Sequence, residues 1–232
     1  MTYSEFMEIL RGVGLPGIIS RLVCAVLCGG LIGIERETKR RSAGFRTHTL
    51  ICIGASLTTL ISKYMIEYME LPTDPARLGA QVIAGMSFIG AGAIIVTSRR
   101  QVKGLTTAAG LWTAAIIGLA IGVGYYEVAL IAVALVLIAE IFLSKLEYAI
   151  ISNARLMNVH IEFREAAEIN TIVGVLISKN IEVTDIEYTR AASANGAVPN
   201  AILSLRFRKK TAHENVLQIL NELPEIISVE EL

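Results

Sequence analysis

The residues of this chain that could do chemistry crowd into a few short turns. Glu35-Arg36-Glu37 is followed by Lys39, Arg40 and Arg41, and then by Arg46-Thr47-His48. A second basic turn carries Lys103-Gly104-Leu105-Thr106-Thr107. Arg77 and Gln81 stand one helical turn apart, and Glu140 is isolated in a long apolar run. Carboxylates beside cations can pair charges, or they can offer oxygen to a hard cation. Mg²⁺ loses its water reluctantly and prefers carboxylate oxygen, so Glu35, Glu37 and Glu140 are the candidate ligands, although the pattern itself specifies no metal. Two readings of Glu35–Glu37 stand side by side. In one, the three charges pair with Lys39–Arg46 at an interface. In the other, Glu35, Arg36, Arg46 and Thr47 join Lys103, Thr106 and Thr107 in a polar site at the mouth of a helix bundle, while Arg77 and Gln81 form a second cluster at the far end.

Catalysis is not indicated. A phosphate-binding glycine loop would end in Lys-Ser/Thr before a helix. The run Arg99-Arg100-Gln101-Val102-Lys103-Gly104-Leu105-Thr106-Thr107 has the wrong order and spacing. His48 opens an apolar segment, and His160 and His213 lie near the C-terminus, none at metal-ligand spacing from another. Cys24, Cys28 and Cys52 fall in apolar segments and read as small packing residues, with no disulfide framework implied. No cofactor is evident and no nucleic-acid signature appears. The expectation is a protein that is not an enzyme.

The elements that must hold these residues are apolar and long. The 232-residue chain is 53% hydrophobic and 18% charged, with mean hydropathy +0.58. Ordinary globular chains are about 45–50% apolar and about 25% charged. The excess lies before Lys145, where uncharged runs alternate with charged turns. Five runs are long enough to predict membrane helices: Leu15–Ile34, Thr49–Met69, Ala80–Thr97, Leu105–Gly124 and Tyr125–Leu143. Residues 2–14 read as an amphipathic helix on the membrane surface, too acidic at the start for a cleavable signal peptide. The turns after the first and third runs are basic, and those after the second and fourth are acidic or near neutral. By the positive-inside rule the N-terminus is outside and the C-terminus cytoplasmic, with Tyr125 and Tyr126 at the outer interface. Arg21 either reaches the headgroups or meets a carboxylate on another helix. Lys63 and Glu67 form an i,i+4 pair near the outer end of the second run.

Glycine gains nothing from being hidden from lipid, but it lets helix backbones approach closely. Gly29 and Gly33 are four apart, and Gly110, Ala114, Gly118 and Gly122 form one stripe. Gly85, Gly90 and Gly92 crowd the third run. All are read as helix-packing positions. Residues 1–150 are therefore expected to be a transmembrane all-α bundle of about five helices. Residues 151–232 are expected to be a cytoplasmic α+β domain. There Asn158–Phe163, Ile181–Thr189, Ala201–Arg208 and Ile226–Val229 read as strands, and Ala167–Lys179 and His213–Leu223 as helices. That order, βαββαβ, is ferredoxin-like.

Several runs carry a resemblance. These are Gly29 through Glu37; Ala43-Gly44-Phe45-Arg46-Thr47-His48 into Gly54-Ala55; Arg77 with Ala80-Gln81-Val82-Ile83, Gly85 and Phe88-Ile89-Gly90-Ala91-Gly92; and Val102 to Ala109 with Leu111-Trp112. Over residues 18–143 the chain resembles the MgtC/SapB family of bacterial membrane proteins. The C-terminal region is similar in element order to the ACT-like domain of longer members. It lacks the glycine that ligand-binding ACT domains carry after their first strand, so no ligand follows. The resemblance implies a multi-pass inner-membrane protein tied to magnesium homeostasis and to survival in low magnesium or inside host cells. It implies a regulator whose partners, besides the lipid bilayer, are other membrane proteins such as ATP synthase or cation transporters. The alternative it leaves open is a transporter or channel for Mg²⁺. By analogy, a homo-oligomer, at its simplest a dimer, is expected.

Overall fold

The structure, a computed structural model, describes residues 7–8, 10–12, 14–97, 102–151, 154–165, 168–188, 199–207 and 213–232. The chain divides into two compact units. The first takes the described residues up to Thr97 together with Val102–Phe142; the second takes those from Leu143 onward.

The first unit opens with helix α1, Leu15–Thr38, whose Pro16 sits in the first turn, where the missing N–H costs nothing. The sequence suggested an end at Ile34. Instead the helix continues one turn further, and Glu35, Arg36 and Glu37 become helical. Nothing before Arg40, with φ 52°, interrupts the backbone, and the Lys39–Glu35 ion pair of 2.6 Å spans the added turn. Helix α2, Phe45–Glu67, starts directly after Gly44 and so takes Arg46, Thr47 and His48 into its first turn. Helix α3 covers Arg77–Ala93. It was expected to reach Thr97, but its β-branched tail turns extended. There Ile95–Val96 (β1) pairs antiparallel with Val102–Lys103 (β2). The expected Arg99 and Arg100 of this turn lie outside the described residues. Gly104 follows at φ 97°, a conformation that disfavours any residue with a Cβ, and releases helix α4, Leu105–Val123. Helix α5, Tyr126–Ile138, runs into a π-helical turn, Ala139–Leu143.

Among the described residues, four helical stretches are long and apolar enough to cross a membrane: Leu15–Thr38, Phe45–Glu67, Leu105–Val123 and Tyr126–Leu146. Helix α3, with 17 residues, rises about 25 Å at about 1.5 Å per residue, short of the roughly 30 Å hydrocarbon layer.

Helix α2 lies between α1 and α4, and glycines make both contacts close. A Cβ added at Gly29 would stand 2.7 Å from the His48 carbonyl, and one at Gly33 would stand 2.6 Å from Phe45 Cα. On the other side, a Cβ at Gly118 would stand 2.8 Å from Ala55 Cβ, and one at Gly122 would stand 2.7 Å from Thr59 Cβ. The stripes on α1 and α4 are packing faces, as their spacing suggested, and both close on the helix between them. Gly90 is buried beside Ala108, whereas a Cβ at Gly85 or Gly92 meets nothing within 4 Å. Those two face away from the bundle. Alanines, cysteines and a few larger aliphatic side chains fill the gaps that remain. Ala25, Cys28, Ile32, Cys52, Ile117, Ile121, Ala129 and Val133 form one core, and Ala43, Ala55, Met86, Leu111 and Ala115 form another.

In the second unit, helix α6 (Ser144–Ile151) precedes strand β3 (Leu156–Phe163), helix α7 (Ile169–Ser178) and strand β4 (Ile181–Tyr188). Strand β5 (Asn200–Phe207), helix α8 (His213–Asn221) and strand β6 (Ile226–Glu231) complete it. The sheet is antiparallel in the order β4-β5-β3-β6. Period-two alternation sends Val159, Ile161, Leu203 and Leu205 to one face, where Ile172 and Leu176 of α7 and Val216 and Leu220 of α8 cover them. His213 joins three segments: its Nδ1 meets Glu231 of β6 and its Nε2 the Ala154 carbonyl at 3.0 Å. The described part of this region is thus an α/β unit with all four expected strands and both expected helices.

Candidate functional site

The charges at the Glu35 end of the bundle gather around one guanidinium. Arg36, on the last turns of α1, is 1% exposed. Its Nη1 donates to Glu140 Oε2, forming an ion pair, and its Nη2 points to Thr107 Oγ1 at 3.5 Å. Three helices meet here: α1 brings Arg36, α4 brings Thr107 in its first turn, and the π turn after α5 brings Glu140. Glu140 continues the face of Ala129 and Val133, eleven and seven residues earlier, which is the spacing of one helical stripe. The Glu140 carbonyl accepts from Lys39 Nζ at 2.7 Å. Lys39 in turn pairs with Glu35, so Glu35, Arg36, Lys39, Thr107 and Glu140 form one connected group.

His48 lies fully buried at the start of α2. Its Nδ1 is 3.0 Å from the Gly44 carbonyl. A carbonyl only accepts, so Nδ1 carries the hydrogen and Nε2 presents a lone pair. Nε2 has no hydrogen-bond partner among the described residues. A Cβ at Gly110 would stand 3.5 Å from it, at ordinary contact distance, so Gly110 lies directly beside the ring. The charges of Arg36, Glu140 and Glu35 all act on this imidazole.

Both readings of the acidic triplet are partly visible. Glu35 pairs within its own turn, and Glu37 accepts from the Phe45 backbone N–H at 3.1 Å, closing the chain reversal into α2. Arg36 and Thr107 do come together. Arg46, Lys103 and Thr106 are exposed, Thr47 is half-buried and Trp112 is 45% exposed, so none of them joins the buried group. Arg77 and Gln81 at the start of α3 are exposed as well. The sequence offered no signal for Lys39 binding the Glu140 carbonyl, because the acceptor is a backbone group 101 residues away, which no residue type marks.

At the opposite end of the bundle, Arg21 is fully buried. Among the described residues its hydrogen bonds go to backbone carbonyls, not to a carboxylate. Nη1 donates to the Gly12 carbonyl at 2.7 Å and Nη2 to the Arg11 carbonyl at 2.6 Å. Lys63 Nζ reaches the same Arg11 carbonyl at 2.8 Å, and Tyr126 Oη donates to the Leu10 carbonyl at 3.1 Å. The carbonyls of Arg11 and Gly12 are thus capped by cations and that of Leu10 by a hydroxyl, and positive charge is favourable at the negative end of a helix. Arg11 closes the ring with an ion pair to Glu127.

The sequence model of the MgtC family matches residues 22–149, which takes in most of α1, all of α2 to α5 and every member of the buried group. "Putative magnesium transporter YhiD" of Escherichia coli (strain K12) is 43% identical over 129 residues, 53% of this chain and 60% of that protein. Protein SapB of Bacillus subtilis (strain 168) is 39% identical over 132 residues, 55% of this chain and 57% of its own length. The chain therefore spans less than two thirds of either relative. An uncharacterized protein of Haemophilus influenzae is 31% identical over 221 residues, 92% of this chain and 91% of the other, and so extends through the second unit too. No solved structure matches the chain.

Proposed function

The chain belongs to the MgtC family, and on that footing we propose that it is a regulator of magnesium homeostasis that docks on other membrane proteins rather than carrying the ion itself. The observation behind this reading is the state of the acids. The Glu140 carboxylate is paired with Arg36, and the Glu35 carboxylate with Lys39. A path for Mg²⁺ wants carboxylate oxygens free to replace its water; here they are committed to cations of the same chain. The bundle around them is drawn tight on its glycines. We assign the chain no catalytic activity and no resident cofactor. Its partners, by family resemblance, are cation transporters or ATP synthase, and it pairs with further copies of itself.

The family and the four apolar helices make this a membrane protein. We assign it to the bacterial cytoplasmic membrane, with its N-terminus outside and the turn of Lys39, Arg40, Arg41 and Arg46 inside. Helix α3 carries the chain back from the outer end of α2 to the inner start of α4, so α5 leads inward and the second unit is then cytoplasmic. Its βαββαβ order and β4-β5-β3-β6 sheet support a ferredoxin-like, ACT-like domain.

The second reading, a Mg²⁺ transporter, has the name of the Escherichia coli relative in its favour. Flux measurements on purified protein in liposomes separate the two. The regulatory reading expects Mg²⁺ entry no faster than into empty vesicles, and crosslinking in native membranes that recovers a second membrane protein. Entry above that background, lost in Glu140→Gln, would establish transport instead.

A further inference from the structure

A cavity of about 270 Å³ opens at the end of the bundle away from Arg36, between the last turns of α2, the loop before α3 and the end of α4. The volume lies just below the roughly 300–1,000 Å³ of small-ligand pockets, which suits a headgroup-sized guest. Ile66, Pro75 and Val123 give it apolar walls. Two of its polar groups are already satisfied by the chain: Ser62 Oγ donates to the Pro75 carbonyl at 3.0 Å, and Thr59 Oγ1 to the Ala55 carbonyl at 3.3 Å. That leaves Lys63 and Glu67 to meet a guest.

Their hydrogen-bonding capacity is only partly used. The Lys63 ammonium has three donors; one goes to the Arg11 carbonyl, and its contact with Glu67 is a loose 3.4 Å. Glu67 is a half-exposed carboxylate with several lone pairs open. The site thus offers a donor for an anion and an acceptor for a cation, one helical turn apart, with no net charge between them. A purely anionic guest would gain Lys63 but face Glu67. A quaternary ammonium could sit near Glu67 but has no N–H to donate. A primary ammonium joined to a phosphodiester satisfies both ends.

We propose that this cavity binds the headgroup of an aminophospholipid. The ammonium donates to Glu67, a phosphate oxygen accepts from Lys63, and the first carbons of the lipid run along Ile66 and Val123. This site stands apart from the Arg36 group and does not depend on the regulatory reading.

Native mass spectrometry of the full chain tests it. The protein is released from detergent in the presence of phosphatidylethanolamine, phosphatidylcholine or phosphatidylglycerol with identical acyl chains. The ethanolamine lipid should be retained several-fold more than the other two. Glu67→Gln should erase its advantage over the choline lipid. Ile66→Trp, which fills the cavity without touching either charge, should lower retention of all three while the melting temperature holds. Equal retention of the ethanolamine and choline lipids by the unaltered chain would overturn the assignment. So would an ethanolamine preference that survives Glu67→Gln or Ile66→Trp.

Discussion

In the second unit the space between sheet and helices is filled by side chains: Phe163, Ile161, Leu203 and Leu205 from the strands, Ile172 and Leu176 from α7. In the first unit the space around α2 is removed rather than filled. Gly29 and Gly33 on one side and Gly118 and Gly122 on the other bring backbone against backbone. A few large apolar residues such as Ile32 and Ile117 are buried, but many more, Leu27, Leu57, Leu130 and Leu135 among them, point outward and are exposed. The difference follows from the solvent. Water rewards burying a large aliphatic group by about 25 cal/mol per Å², so the second unit places its bulk inside. Lipid gives no such reward, and association rests on close contact and internal polar bonds. The first unit therefore puts bulk outside, glycine inside, and one bonded charge group where three helices meet.

This contrast can be broken or sharpened by substitution. The largest effect is expected from Gly118→Leu, which forces a side chain into Ala55 and the adjacent backbone of α2. Overpacking of this kind costs about 3 kcal/mol or more, and the protein should no longer run as a single species in mild detergent. Gly85→Leu is the matched control, since nothing stands within 4 Å of its Cβ, and it should behave as the parent. Next comes Arg36→Met. It strands Glu140 in a buried setting, at a cost of about 3–5 kcal/mol. Adding Glu140→Met should restore most of the loss. Thiol labelling on heating reads the first unit alone, because all three cysteines lie in α1 and α2. A double variant as unstable as Arg36→Met would show that the pair is not coupled.

Leu203→Ala should cost the second unit about 2–5 kcal/mol through its cavity. Proteolysis of that unit should accelerate while thiol labelling stays unchanged; a shift in both would mean that the units unfold together. The smallest effect is expected for Thr107→Val. Its 3.5 Å contact to Arg36 is long for a hydrogen bond, so the loss should be about 1 kcal/mol or less. A larger drop in the labelling midpoint would give that hydroxyl a greater part in holding Arg36.

Most of this architecture could be read from residue order, and the failures are instructive. Alternation in Asn158–Phe163 and the spacing of Ile172 and Leu176 were enough to find the second unit's elements. The glycine stripes on α1 and α4 were legible as contacts, although not that both close on α2. Helix ends were the weak point. Glu35 to Thr38 looked like a turn by charge, yet their ion pairs let α1 continue. Ile94 to Thr97 looked apolar enough to extend α3, yet β-branching took them into β1. Within the site, Arg36 and Thr107 could be paired by eye, whereas the acceptor for Lys39 is a backbone carbonyl, that of Glu140, which no residue type announces. Gly85 and Gly92 resembled the other glycines in type but not in surroundings, and only coordinates separate the two.

The Arg21 guanidinium has a practical corollary for anyone shortening this chain. The segment before Leu15 looks dispensable, being short and peripheral to the bundle. Yet two of its carbonyls are what the Arg21 side chain is bonded to, and trimming to Leu15 would leave a cation stranded inside the protein. Residues 10–12 act as a stopper seated from the rim. An affinity handle belongs ahead of that stopper or at the far terminus, never in its place.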